Sequence, residues 1–437
     1  MQAPTSEQTR LSPFHTRLAI YSSGGPFLDG YVLSIIGVAL VQITPALHLT
    51  RVWEGLIAAS TLIGMFFGGF VGGYLTDRFG RQLLYTWDLA AILICSLLQF
   101  WATNAEVLFL LRLLIGVAVG ADYPIATALS AEFMSARHRG PVLACLISMW
   151  FVGAAAAYIV GEAFQHLGPG GWRWMLASAA LPAALFMFMR HGTPESPRWL
   201  ERKGRRAEAE AVIRRVYGER APSDYQSAGA ANEANLAALF ASGYGPRLAF
   251  TTVFWTCAIV PLFAVYAFAP KILIALGLTG NFANVGSSVV ACLFLLGTLV
   301  SIPLINRLGR RRLVVHSFLW SAIALLLLGL LPNAGAAVTF TLFAAYAVCI
   351  GGTQVLEWVY PNELFPTEVR GTAMGIASSL SRIGAAVGTY LTPIVLQRFG
   401  ISVTMLWAAA ITLAGFLICA FMAPETTGQS LEQSAAI

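Results

Sequence analysis

Charge is what this chain has least of. Only 11% of its 437 residues are Asp, Glu, Lys or Arg, and 57% are apolar. An ordinary soluble domain carries roughly 25% charged residues. Mean hydropathy is +0.71. So few charges cannot cover the surface of a soluble protein of this length. That excludes a soluble enzyme, a disordered chain and a nucleic-acid binder. Cysteine pairing is also missing. Cys95, Cys145, Cys257, Cys292, Cys349 and Cys419 each stand alone in an apolar run, with no CxxC, and read as small buried hydrophobes. The six histidines are scattered without metal-ligand spacing, so neither a metal nor a cofactor is expected. No nucleophile–base set is recognisable around Ser22, Ser23 or the other polar residues, which argues against an enzyme. Residues 1–16 are polar and lack the parts of a secretory leader, so the first apolar run is expected to remain as an anchor.

Long apolar runs are present instead. A spanning helix needs about 20 apolar residues. Twelve candidates lie near 20–47, 53–75, 83–103, 106–128, 140–164, 172–190, 247–270, 281–305, 312–331, 335–360, 371–396 and 402–423. In hydrocarbon the backbone must satisfy its own hydrogen bonds, so these runs are read as helices. The fold class is an all-α membrane protein. Lys and Arg set the orientation. With both termini cytoplasmic, 21 of the 27 fall inside. Only Arg51, Arg173, Lys271 and Arg398 fall outside, and Arg112 and Arg382 lie within spans. This asymmetry accounts for the net charge of +6 without a nucleic-acid partner.

The chain repeats itself. Gly73 to Arg81 follows span two and Ile302 to Arg310 follows span eight, at an offset of 229. Glu132 and Gly140 after span four match Glu363 and Gly371 after span ten, at 231. Pro194-Glu195 matches Pro424-Glu425 at 230. Three loops thus define two six-helix pseudo-repeats, the plan of a carrier whose halves rock about a midplane site. The expected units are an N-terminal bundle (1–190), a cytoplasmic loop (191–246) and a C-terminal bundle (247–437).

These motifs resemble the major facilitator superfamily over nearly the whole chain. Gly73, Asp77, Arg78, Gly80 and Arg81 match its signature loop between spans two and three, which in that family acts as a conformational latch. Their other reading is as topology determinants in headgroup water. Asn306 replaces Asp in the second copy. Pro194 to Leu200 is similar to the motif closing the first half of sugar porters. Glu363 to Gly371 is similar to the span-ten exit of the organic-ion and synaptic-vesicle-like branch.

An ionisable residue inside a span is costly and is a functional candidate. Asp29, Arg112, Asp122, Glu357 and Arg382 qualify, and the charges of Asp29, Arg112 and Arg382 are not duplicated by the repeat. At about 1.5 Å per residue, Asp29 and Arg112 both fall near mid-bilayer. A carboxylate whose cation approaches and retreats would bind and release a proton; the alternative is a static buried pair. The resemblance implies the switching role, since proton-linked sugar porters place an Asp in span one and an Arg in span four. Asp29-Gly30 fits the pattern of the aromatic-acid branch better. Asp122 reads either as a second proton site or as a structural hydrogen-bond acceptor beside Pro124.

Arg382 offers five donors at mid-span and suits a carboxylate. The resemblance to organic-anion carriers implies substrate contact there, and the alternative is an ion pair with Glu357. Trp358 resembles the span-ten Trp that stacks on substrate in sugar porters. Trp255 and Tyr266 are further candidates, with Trp150 and Tyr346 behind them. Spans five and seven lack the Gln residues that read sugar hydroxyls in that family, which disfavours a hexose. The expected function is a proton-coupled symporter for a small organic anion or zwitterion, in a bacterial inner membrane and monomeric. A facilitator or a proton-linked exporter is the alternative. Its partners are then a small-molecule substrate, protons and lipid.

Overall fold

The computed structural model describes residues 13–133, 136–217, 243–275, 281–365 and 367–427. Among them the regular structure is helical, with no strand. The N-terminal helices are α1 (Pro13–Ser22), α2 (Gly24–Ala46), α3 (Arg51–Phe79), α4 (Arg81–Leu98), α5 (Ala105–Phe133), α6 (Ala136–Gln165), α7 (Gly171–Ala177) and α8 (Ala180–Arg190). Two short helices follow, α9 (Pro197–Arg202) and α10 (Arg206–Tyr217). The second half holds α11 (Gly245–Ala275), α12 (Asn281–Leu308), α13 (Arg310–Leu330), α14 (Ala336–Cys349), α15 (Gly351–Leu364) and α16 (Thr367–Met422).

Ten helical stretches among the described residues are long and apolar enough to cross a membrane. Two further crossings complete the expected twelve. Helix α5 spans 29 residues but carries Glu106, Arg112 and Asp122, so its charge keeps it out of that set. Helix α16 has 56 residues and would run about 84 Å if straight, far more than a bilayer. Gly400, at φ 79°, turns the chain between spans eleven and twelve.

Glycines bring helices into backbone contact within each half. Any Cβ at Gly64, Gly68 or Gly72 of α3 would meet the backbone of α5, and Gly116 and Gly120 return the contact. Without hydrophobic drive between helices in lipid, such close packing is what holds them together. The second half repeats the device, with Gly297 of α12 against Val348 and Gly351. It departs from it one turn away. Where the first half has Gly64 and Gly116, the second has Phe294 and Tyr346, packed edge to face at 5.6 Å. The frame is therefore symmetric and its lining is not.

The halves meet along α3–α16, α6–α12 and α2–α11. Helix α11 kinks at Phe268, ahead of Pro270. Pro270 has no N–H for the carbonyl of Tyr266, one turn earlier. The Tyr158 hydroxyl donates to that carbonyl instead, at 2.7 Å, and so ties α6 to α11. At the start of α3, Glu54 is fully buried and paired with Lys271 of α11 and with Arg51. Arg51 also donates to Gln397 of α16 at 3.0 Å.

The outward placement of Glu54–Lys271 rests on the charge asymmetry, and that is open to test. On that reading Arg205, half exposed beside α10, is expected on the cytoplasmic side. We expect Arg205→Cys, in a chain otherwise lacking cysteine, to stay unlabelled by an impermeant thiol reagent in intact cells and to label after permeabilisation. Labelling in intact cells would invert the topology.

Candidate substrate and proton site

Asp29 sits where α2 touches α6. Gly30 has no room for a side chain against the carbonyl of Trp150, and Gly153 is equally close to Phe27. That contact delivers the Trp150 indole N–H to Asp29 Oδ2 at 2.9 Å. The carboxylate is 1% exposed, and its Oδ1 has no hydrogen-bond partner. The cation acting most strongly on it is Arg382 of α16. Arg382 also acts on Glu357 of α15 and lies 5.2 Å from the ring of Phe263. Glu357 is buried and accepts from Gln354 Nε2 at 3.0 Å. One guanidinium thus serves a carboxylate from each half of the molecule.

Aromatic rings close around this triad. Trp255 and Trp358 pack at 6.2 Å. Trp150 stands edge-on to Tyr266 at 5.1 Å and to Phe263 at 5.9 Å. The hydroxyls of Tyr266 and Tyr346 are buried without a hydrogen-bond partner. A cleft of about 330 Å³ between α3 and α16 also reaches Arg382. It is walled by Leu56, Phe66, Phe67, Ile383 and Tyr390, and Phe67 and Ile383 are exposed.

The sequence pairs Asp29 with Arg112, and this conformation does not. Arg112 is buried and donates to the carbonyls of Ile57 and Val32, each at 3.3 Å. Two backbone acceptors satisfy part of its fork, while Asp29 accepts from the Trp150 indole. Asp122 is likewise engaged elsewhere. It binds Arg190 at the end of α8, at 2.8 and 3.4 Å. Asp88 of α4 stands 3.6 Å from the same guanidinium. Asp88 and Gln354 were both missed in the sequence. Asp88 is an ionisable residue inside an apolar run, which was the available signal. Gln354 is one turn from Glu357 on the same helix.

The loop motifs act as helix caps. Gly80, at φ 101°, precedes α4, and Glu195 accepts from the backbone N–H groups of Arg81 (2.9 Å) and Gln82 (3.0 Å). The second half repeats this with Gly309, at φ 86°, and Glu425, which accepts from Arg310 (2.9 Å) and Arg311 (3.2 Å). Carboxylates suit helix N-termini. Arg310 further binds Glu363 at 2.9 Å. Arg81 is buried and Arg78 is exposed beside Phe79. The side chains of Gly73 and Asp77 lie outside the described residues, as do those of Glu132, Gly140, Arg370 and Gly371.

Burial pushes the Glu425 carboxyl up, and the donated hydrogen bonds of Thr427, Arg310 and Arg311 outweigh it and hold the group below the ordinary glutamate range. A depressed carboxyl contributes stability above its unfolded value and loses it as pH falls through the folded one. Glu425→Gln is therefore expected to lower the melting temperature at neutral pH, with the deficit shrinking in acid. A deficit independent of pH, read by thermal melts, would contradict the cap.

Comparison with known proteins agrees with this architecture. The sugar (and other) transporter family matches residues 18–437. The chain is 43% identical over 98% of its length to the putative metabolite transport protein YaaU of Escherichia coli, covering 96% of that protein. It is 41% identical to the inner membrane metabolite transport protein YgcS of the same organism, covering 95% and 93% of the two chains. The partially occluded inward-open structure of the xylose transporter XylE from E. coli superposes with a TM-score of 0.84 at 21% identity, over 96% of this chain and 100% of that one. The narrower likeness to organic-ion and aromatic-acid carriers finds no counterpart among these relatives. The chain belongs to the sugar (and other) transporter family of the major facilitator superfamily and is a multi-pass membrane transporter, not an enzyme.

Proposed function

We propose that this transporter couples proton entry to the uptake of a small organic anion or zwitterion across a bacterial inner membrane, with both termini cytoplasmic. The observation that carries the reading is that one guanidinium, Arg382, acts electrostatically on both Asp29 and Glu357. With Asp29 ionised, Arg382 is claimed by carboxylates of the protein itself. A proton on Asp29 removes one claimant and frees donors of Arg382 for a substrate carboxylate. Substrate binding then depends on prior protonation, which is the requirement for symport. Because Asp29 and Arg382 come from different halves, the exchange of partners is linked to how the halves meet. Trp150 and Gln354 hold the two carboxylates in place, and Trp255, Trp358 and Tyr266 supply the apolar walls. A relative named arabinose-proton symporter, from Bacillus subtilis and 26% identical, is consistent with proton coupling.

A neutral sugar is the second reading. Gln354 beside Trp358 favours it, as do relatives named for arabinose and glucose. A thermal-shift screen of purified protein separates the two, since a bound ligand stabilises by mass action. Carboxylates are expected to raise the melting temperature, more strongly at acid than at alkaline pH. Stabilisation by neutral sugars alone would replace the anion reading with the sugar one.

A further inference from the structure

The cluster around Arg190 is built like a binding site, yet the central triad makes no use of it. Arg190 is wholly buried, and the side chains of Asp88 and Asp122 are 3% exposed. Its guanidinium donates to Asp122, to the carbonyl of Tyr85 at 3.1 Å and to the carbonyl of Tyr21 at 3.2 Å. It also lies 3.6 Å above the Tyr85 ring, whose hydroxyl donates to Ser22. Asp88 Oδ1 accepts from the backbone N–H of Leu89, but Asp88 Oδ2 is buried without a hydrogen-bond donor. Both carboxyls stand against the one guanidinium, Asp122 at 2.8 Å and Asp88 at 3.6 Å.

Two carboxylates thus share one guanidinium in a dry place. The ionisable groups here are Asp88 and Tyr85 of α4, Asp122 of α5 and Arg190 of α8; outside the cluster, Asp29 of α2 feels Asp122. The buried His15 of α1 is seven residues before Ser22, about 10 Å along the helix. With both carboxyls ionised the cluster would carry one uncompensated negative charge, which a low-dielectric interior strongly disfavours. One proton on the pair would leave the cluster neutral. Asp88 Oδ2 is the atom left for it.

The placement relative to Asp29 gives this meaning. Gly25 of α2 has no room for a side chain because Asp122 Oδ2 occupies that space. Residues 25 and 29 stand one turn apart on one face of α2. Asp122 therefore lies one turn from Asp29, on the side towards Arg190 and the cytoplasmic end of α8.

We infer that Asp88 and Asp122 share one proton beside Arg190, forming a second proton-binding site between Asp29 and the cytoplasm. The inference extends the proton-coupled reading but is tested without it. Infrared difference spectra of purified, substrate-free protein at neutral pH distinguish a protonated carboxyl from a carboxylate. Asp88→Asn leaves Asp122 and Arg190 as a balanced pair. Subtracting its spectrum from that of the wild type should remove one protonated carboxyl per chain and no carboxylate. Asp122→Asn should give the same difference, because Asp88 then pairs with Arg190 as the carboxylate, and this covers a failure of the first variant to fold. Asp29→Asn should leave the cluster's signal untouched, so loss of coupling at Asp29 and loss of this site are separate results. If either cluster variant instead removes a carboxylate, the site holds no proton and the inference fails.

Discussion

Arg382→Ala is expected to abolish detectable binding of an anionic ligand, an effect of a few hundred-fold or more. Removing one partner of a buried charge set costs about 3–5 kcal/mol, because the remaining charge is left uncompensated. Here two carboxylates depend on the same guanidinium. Truncation also removes the fork that could take a substrate carboxylate in two parallel hydrogen bonds. Arg382→Lys keeps the charge but not the fork, so it should recover part of the affinity and no more. The check is a binding titration on a carboxylate identified by thermal shift, with folding verified by melting. Affinity kept within a few-fold in Arg382→Ala would move Arg382 from the site into the scaffold.

Asp29→Asn is expected to end accumulation while sparing exchange. The amide keeps the size of the carboxyl and can still accept the Trp150 indole, but it cannot release a proton. In the neutral form Arg382 stays free for substrate, so binding should persist at alkaline pH, where the wild type loses it. Exchange of substrate across the membrane needs only the loaded carrier, so counterflow should continue. Net uptake against a gradient needs the empty carrier to give up its proton, and it should fall to equilibration. Persistence of uphill uptake in Asp29→Asn would shift the coupling role to Glu357.

Which parts of this were legible follows from what each depends on. The twelve crossings follow from local hydropathy. The repeat is equally local, and the structure turns the paired Glu195 and Glu425 into matching helix caps. Orphan donors at helix starts need an acceptor, and both halves use the same one. Partners of the buried charges were not legible. Asp29 and Arg112 sit at similar depth, but depth does not say which helix faces meet. The faces are set by Gly25, Gly30 and Gly153, whose missing side chains admit Asp122 and Trp150 to α2. Nothing in the sequence showed that Arg190, at the end of span six, turns inward against the Tyr85 ring. Glu54, near the start of span two, gave no sign of its pairing with Lys271 from the other half.

The most direct test of the account follows protons and not solute. Purified protein is reconstituted in liposomes holding a pH dye, with no imposed gradient. A carboxylate found by the screen is then added outside. Coupled entry should acidify the lumen as the carboxylate enters, and a protonophore should abolish the change. Arg382→Ala and Asp29→Asn liposomes should show none. Entry of the carboxylate in wild-type liposomes with no change of internal pH would contradict proton coupling and leave a facilitator in its place.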